Sequence, residues 1–313
     1  MVRGERVLVV VDRPRRDVGV ALAAVVREVG ATCALVELEA LCARPVPQVL
    51  PVMHAALESA QASVLLAGFV DDELPMRLEY LDRVRALGLR HAHMVGVSRR
   101  SIIAGFSVDP QRVRDVSRAV RMRLRPDSVL RLKTALGSDL TVRLEPAHRV
   151  VEHVGVIRPG KWENLPSGEL MTAPRLVEGV FVCDASMGAS FGEAAGLLTR
   201  TPVRLDIAAS VVTRVSCSDR RLQRAVEAFV RSEPGASRVG TAVLGTNVGI
   251  ATATGELICD QNLPGLHVSL GNTFPLMTGA LATTRAQLSL TCCSSNVDLD
   301  GAPLLRGGRY MIG

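Results

Sequence analysis

The first half of the chain alternates continuous apolar runs with amphipathic stretches. Residues 6–12 form a run of Val and Leu typical of a strand buried on both faces, and similar runs predict strands at 32–38, 63–68 and 93–97. Apolar residues at helical spacing predict four helices between them: one capped by Asp17 and ended by Gly30, then 51–60, 74–87 and 109–124. This alternation predicts an α/β N-terminal domain with an open parallel sheet.

The second half follows a different pattern, with short β-branched runs between turns. Strands are predicted at 128–133 and 139–144, joined as a hairpin through Gly137-Ser138, and again at 177–183, 203–208 and 211–215. Residues 219–230 form the only clear helical pattern in this half. The prediction is a β-rich α+β C-terminal domain. Pro126 ends the preceding helix, so we place the domains at 1–126 and 127–313.

Composition narrows the class of partner. The chain has 313 residues, 48% of them hydrophobic but only 3% aromatic, and a net charge of +6. Because nucleic-acid grooves use aromatic side chains for stacking, the charge is interpreted as arginines spread over solvated surfaces, and no nucleic-acid partner is expected. No apolar run is long enough for a membrane span, and the first residues lack a signal-peptide core. Seven scattered cysteines fit a reducing cytoplasm.

No glycine-rich nucleotide motif follows the first strand, where Arg13-Pro14-Arg15-Arg16 stands instead. Two other patterns are weak evidence for a catalytic or metal site. Residues 188–192 match Gly-x-Ser-x-Gly, but a nucleophile elbow needs a strand, turn and helix in a parallel sheet. The vicinal pair Cys292-Cys293 lacks the spacing of a zinc site. His91 and His93 flank a predicted strand and are interpreted as structural.

The stretch 161–174 has the clearest local chemistry. Asn164-Leu165-Pro166-Ser167-Gly168 is a tight turn, and Glu169 follows it directly. A carboxylate at the rim of a rigid turn is a candidate metal ligand or general base. The alternative interpretation is a surface Glu after a turn.

This stretch resembles the signature of the thermophilic metallo-aminopeptidase family (M29), which is related in fold to the iron-dependent 2,5-dihydroxypyridine 5,6-dioxygenases. The resemblance continues through 134–140, 244–247 and 266–271, in the family's order. It therefore spans most of the chain.

The resemblance implies a site of two Glu, two His, one Asp and a nearby Tyr. Glu169 matches the first Glu, and His267 matches the first His. The remaining positions are occupied here by residues that are poor ligands: Thr241 for the second Glu, Phe274 for the Tyr, Gln287 for the second His and Ser289 for the Asp. Glu169 and His267 are thus the only catalytic and metal-binding candidates, as the remnant of a degraded site.

The leading hypothesis is a metal-site-depleted homologue that binds a peptide or small molecule in a biosynthetic or maturation pathway. The expected site is the old cleft between the domains, with Phe274 and Gln287 as cleft residues. No cofactor is expected, although one weakly bound divalent metal (Zn, Mn or Fe) is left open. By resemblance alone, a homodimer is expected.

Two alternatives remain. The first is an active metal-dependent aminopeptidase-type hydrolase or mononuclear-iron oxygenase with rearranged ligands. Its replacement ligands would come from Asp260, Cys292, Asp298 and Asp300. The second is a purely structural subunit of a larger complex.

Overall fold

The computed structural model describes residues 2–188, 196–281 and 284–312. The chain divides into two compact units, Met1–Ile103 with Gly155–Pro166, and Ala104–Val154 with Ser167–Gly313. This division differs from the boundary predicted at Pro126. The helix before Pro126 belongs to the second unit, and a later segment returns to the first.

Strands outnumber α-helices in the described residues. The strands are β1 (Arg6–Val11), β2 (Thr32–Glu37), β3 (Ala62–Leu66), β4 (Arg90–His93), β5 (Val129–Lys133), β6 (Asp139–Leu144), β7 (Val151–His153), β8 (Trp162–Asn164), β9 (Glu169–Thr172), β10 (Pro174–Cys183), β11 (Met187–Gly188), β12 (Val203–Ala208), β13 (Val211–Ser216), β14 (Val239–Gly245), β15 (Gly265–Gly271), β16 (Gln287–Leu290), β17 (Asn296–Leu299), β18 (Ala302–Arg306) and β19 (Arg309–Tyr310). The α-helices are α1 (Arg16–Glu28), α2 (Leu38–Leu41), α3 (Pro51–Ser59), α4 (Leu74–Ala86), α5 (Arg99–Gly105), α6 (Pro110–Arg123), α7 (Arg220–Val230), α8 (Leu257–Asp260) and α9 (Pro275–Thr278).

The first unit is built on a parallel sheet with the strand order β2-β1-β3-β4-β8. Leu8, Val10 and Leu65 of its strands pack with Met53 of α3 and Tyr80 of α4 in one buried cluster. The predicted α/β domain with an open parallel sheet is confirmed. The edge strand β8 was not predicted, because its three residues adjoin a segment dominated by turn residues.

Two local predictions in this unit are wrong. The fourth strand was predicted at 93–97, but β4 ends at His93; Gly96 has a left-handed φ of +79°, which a strand does not accommodate. Asp17 does not cap α1, whose N-cap Arg15 makes no side-chain cap. Instead, the Asp12 side chain accepts from the Arg15 backbone N–H and caps a short 3-10 turn before the helix.

The second unit contains two antiparallel sheets. In the described residues their strand orders are β13-β12-β10-β6-β5-β17-β18-β19 and β11-β16-β15-β14-β9-β7. One buried apolar cluster contains Leu132 and Phe181 of the first sheet together with Leu244 and Val268 of the second, so the two sheets share a core. The predicted β-rich domain is confirmed, and so is the β5–β6 hairpin.

None of the helices in the described part of the chain is long and apolar enough to span a membrane.

Candidate functional site

Five of the six positions implied by the resemblance lie on one face of the sheet β11-β16-β15-β14-β9-β7. Strand pairing sets Glu169 opposite Gly245, Val243 opposite His267, Ser269 opposite both Thr241 and Ser289, and Gly271 opposite Gln287. The residues that alternate with them along the strands belong to the core: Leu170, Ala242, Leu244, Leu266, Val268, Leu270, Leu288 and Leu290. Because side chains alternate along a strand, Glu169, Thr241, His267, Gln287 and Ser289 share the opposite face. We call these five residues with Ser269 the polar face.

Phe274, the sixth position, lies in the loop after β15. Its backbone has a left-handed φ of 50°, and its N–H donates to Asn272 Oδ1 at 2.8 Å. The loop begins beside Gln287, the strand partner of Gly271. Phe274 has no hydroxyl to offer a ligand.

Glu169 stands at the start of β9, directly after a turn that is held by hydrogen bonds to its backbone. Gly168 has φ +127° and lies so close to Asn247 that a Cβ would come within 2.9 Å of its backbone nitrogen. The Asn247 side-chain amide donates to the carbonyls of Gly105 and Ser167 at 2.9 Å each, and its Oδ1 accepts from the Gly249 N–H at 3.1 Å. Asn247 is therefore a structural residue that fixes the turn before Glu169.

Thr246 adds a second support to the same turn. Its backbone N–H donates to the Gly168 carbonyl at 2.6 Å, and its Oγ1 lies 2.6 Å from Ser117 Oγ. Because Ser117 Oγ donates to the Val113 carbonyl, the Thr246 hydroxyl is the donor to Ser117. The Gly-Thr-Asn motif thus anchors the backbone at Glu169, which is itself buried with 8% exposure.

His267 is buried with both ring nitrogens engaged by backbone groups. Its Nε2 donates to the Leu263 carbonyl at 2.9 Å, and its Nδ1 accepts from the Cys292 N–H at 3.2 Å. A carbonyl only accepts and an amide only donates, so these partners fix the neutral tautomer with the proton on Nε2. Burial lowers the pKa of His267 to about 4. In this arrangement His267 has no free lone pair for a metal ion.

The far end of the polar face is a set of neutral groups bonded to one another. Ser269 Oγ and Ser289 Oγ lie 2.9 Å apart, and Gln287 Nε2 donates to Ser289 Oγ at 3.3 Å. Thr241 is fully buried, and its hydroxyl has no hydrogen-bond partner in the described residues. Ser269 was not predicted, although its spacing of two from His267 already placed it on the same face of a strand.

These donors do not fit a catalytic metal. The polar face offers one carboxylate, an imidazole with both nitrogens engaged, two serine hydroxyls, a threonine and an amide. Zinc and non-haem iron sites use three or more His, Cys or carboxylate ligands. Among the described residues, no three or more His, Cys, Asp or Glu are arranged to hold a metal ion.

The four candidate replacement ligands are each engaged elsewhere. Asp260 accepts from the Thr254 N–H and hydroxyl and from the Gly255 N–H. Asp298 pairs with Arg306, and Asp300 accepts from Ser128 and the Val129 N–H and pairs with Arg125. The Cys292 thiol donates to the Leu266 carbonyl, and burial raises its pKa.

The other sequence signals add no described side chain to the polar face. Both vicinal cysteines are free, with Cys292 buried and Cys293 half-buried. Gly188 ends β11, and the other four residues of the Gly-x-Ser-x-Gly pattern lie outside the described residues. His91 and His93 lie in the first unit, where His91 Nδ1 bonds Ser63 Oγ at 2.8 Å and burial lowers the pKa of both rings. These contacts support a structural role.

Comparisons with known proteins give a family model and two similar structures. The family model of 2,5-dihydroxypyridine 5,6-dioxygenase (NicX) matches residues 1–256. The chain is similar to the structure of 2,5-dihydroxypyridine dioxygenase from Pseudomonas putida KT2440, with a TM-score of 0.66 and 16% identity over 99% of this chain and 92% of that one. It is also similar to AmpT from Thermus thermophilus, with a TM-score of 0.67 and 16% identity over 100% of this chain and 95% of that one. No curated protein matches the sequence.

Proposed function

The chain belongs to the 2,5-dihydroxypyridine 5,6-dioxygenase family, and from that membership we propose that it is a metal-site-depleted member that binds a peptide or small molecule. The fold likeness to the dioxygenase and to the aminopeptidase AmpT agrees with the resemblance found in the sequence. A fold is compatible with many functions, so the proposal depends on the site.

The proposal depends on the hydrogen bonds that the polar-face side chains make. His267 engages both nitrogens with the backbone, and Ser269, Ser289 and Gln287 bond to one another. A bound metal would have to displace these contacts and would meet only one carboxylate, Glu169. These contacts favour ligand binding without the metal chemistry of the relatives. We further propose that the protein acts in a biosynthetic or maturation pathway in the cytoplasm.

The alternative, an active hydrolase or oxygenase with rearranged ligands, lacks a specific supporting contact. Its four candidate ligands are engaged in bonds that hold loops and strand ends. One weakly bound zinc, manganese or ferrous ion at Glu169 is the remaining form of that alternative.

Metal content measured by elemental mass spectrometry tests the proposal. Protein purified without chelator and incubated with zinc, manganese or ferrous iron is expected to show near-zero occupancy. A matched variant, Thr241→Glu/Gln287→His/Ser289→Asp, restores the side chains of the family pattern and is expected to gain metal. About one metal per wild-type chain, lost in Glu169→Ala or His267→Ala, would contradict the proposal.

Peptide hydrolysis provides a second readout. With stoichiometric divalent metal, wild-type protein is expected to show no turnover that depends on Glu169. Robust cleavage that disappears in Glu169→Ala would establish the hydrolase alternative instead.

We also propose that the protein forms a homodimer, by analogy with its family alone. Native mass spectrometry on the purified chain is expected to give a dimer mass. A monomer that assembles only with other proteins would instead favour a structural subunit of a larger complex.

A further inference from the structure

A cavity of about 650 Å³ lies within the second unit. Its described lining comes from α6, the segment before β12, the loop after β14, the residues just before β15, the loop after β16 and the last hairpin of the chain. None of the six polar-face residues lines it. Its volume falls in the range of about 300–1,000 Å³ that is typical of small-molecule sites.

The floor of the cavity is apolar. Val116, Ile250 and Leu263 line it and are each at most 5% exposed. Tyr310 also lines the cavity, and its hydroxyl donates to the Gly245 carbonyl at 2.6 Å. The buried part of the cavity therefore suits an apolar or aromatic body.

The charged side chains of the described lining are both arginines. Arg112 and Arg309 line the cavity, both are exposed, and neither forms an ion pair with the described residues. No Asp or Glu is among the described lining residues. Cys293 adds no negative charge, because burial and the neighbouring Asp184 raise the pKa of its thiol to about 12.

We propose that this cavity binds a small organic anion, with a carboxylate on the guanidinium groups of Arg112 and Arg309 and an apolar body against Val116, Ile250 and Leu263. Guanidinium groups recognise carboxylates through paired charge-assisted hydrogen bonds. The apolar floor favours an organic acid over a bare inorganic anion. The site is independent of the metal question, so it stands whether or not the polar face binds metal.

Ligand-observed fluorine NMR with 4-fluorobenzoate tests the proposal, and neutral 4-fluorobenzamide serves as the matched probe. Saturable broadening is expected for the benzoate, and binding of the benzamide is expected to be at least about tenfold weaker, since a charge-assisted bond is lost. Arg112→Met and Arg309→Met are each expected to weaken benzoate binding about tenfold on the same ground. Arg118→Met, an exposed arginine of α6 outside the cavity, should leave it unchanged.

Thr252→Trp tests the cavity without altering its charge. Thr252 is suited to this substitution because it is exposed and lines the cavity. Its indole should block the cavity and abolish benzoate binding. Equal binding of benzoate and benzamide, no saturable broadening, or unchanged binding in Arg112→Met/Arg309→Met would overturn the proposal. Displacement of the benzoate by equimolar inorganic phosphate would overturn the assignment to an organic anion.

Discussion

The two ends of the polar face differ in what their side chains do. At the Glu169 end, Asn247 and Thr246 bond the backbone of the turn and fix where the carboxylate stands. At the Ser289 end, the neutral side chains of Ser269, Ser289 and Gln287 are hydrogen-bonded in a row, and none of the three is a His, Cys or carboxylate. The residues that hold the backbone of the site are therefore different from those at the metal-ligand positions. The ligands can be replaced while the backbone supports are kept.

The largest expected change in stability comes from removing the Asn247 side chain at the Glu169 end. Asn247→Ala removes the partners of two carbonyls and one N–H, in a side chain only 1% exposed. We expect the free energy of unfolding to fall by about 4 kcal/mol, since each buried group left unpaired costs about 1–3 kcal/mol. Urea denaturation measures this change.

Gln287→Ala at the other end is the control. Gln287 is half-buried, and the bond from its amide to Ser289 Oγ is long at 3.3 Å, so a loss of about 0.5 kcal/mol is expected. Equal losses in the two variants would contradict the division of roles between the ends.

The second effect concerns His267, which lies between the two ends. Burial holds its pKa at about 4 in the folded chain, whereas an unfolded His titrates near 6.5. The unfolded state therefore binds more protons as the pH falls below about 6.5, and stability is lost through the window down to about 4. For His267 alone, the expected loss is about 2 kcal/mol between pH 7.5 and pH 5.

His267→Gln isolates this contribution. Its amide N–H is placed to replace the Nε2 donor to Leu263, and the side chain does not titrate. Urea denaturation across pH should show a shallower acid loss in the variant; a residual slope is expected from His91 and His93, whose pKa values burial also lowers. Identical pH profiles in variant and wild type would show that His267 is not held neutral by the fold.

Much of the fold could be predicted because it depends on local patterns. The continuous run of β1 and the Gly137-Ser138 hairpin appear in the sequence as periodicity and turn chemistry. The strand β4 was misplaced because histidines count as polar. His91 is nevertheless buried in the sheet, where it is hydrogen-bonded to its cross-strand partner Ser63. Strand pairing is a long-range property that a local pattern does not contain.

The site divides in the same way. The positions of Glu169, Thr241, His267, Gln287 and Ser289 came from the resemblance, and strand alternation places them on one face. The partners of His267 could not be predicted, because Leu263 and Cys292 reach it through loop geometry. The cavity at Arg112 and Arg309 was also beyond the sequence, since its walls come from segments up to 200 residues apart.

The smallest expected effect separates two buried threonines that the sequence does not distinguish. Thr241 has no hydrogen-bond partner in the described part of the chain, whereas Thr246 donates to Ser117. Thr241→Val removes a desolvated hydroxyl that gains nothing in the folded state, so the free energy of unfolding should rise by about 1 kcal/mol. Thr246→Val, its matched control, leaves Ser117 without its donor and should lower the free energy by about 1–2 kcal/mol. Changes of the same sign in urea denaturation would mean that the Thr241 hydroxyl has a hydrogen-bond partner in solution. The centre of the polar face would then be hydrogen-bonded, as its two ends are.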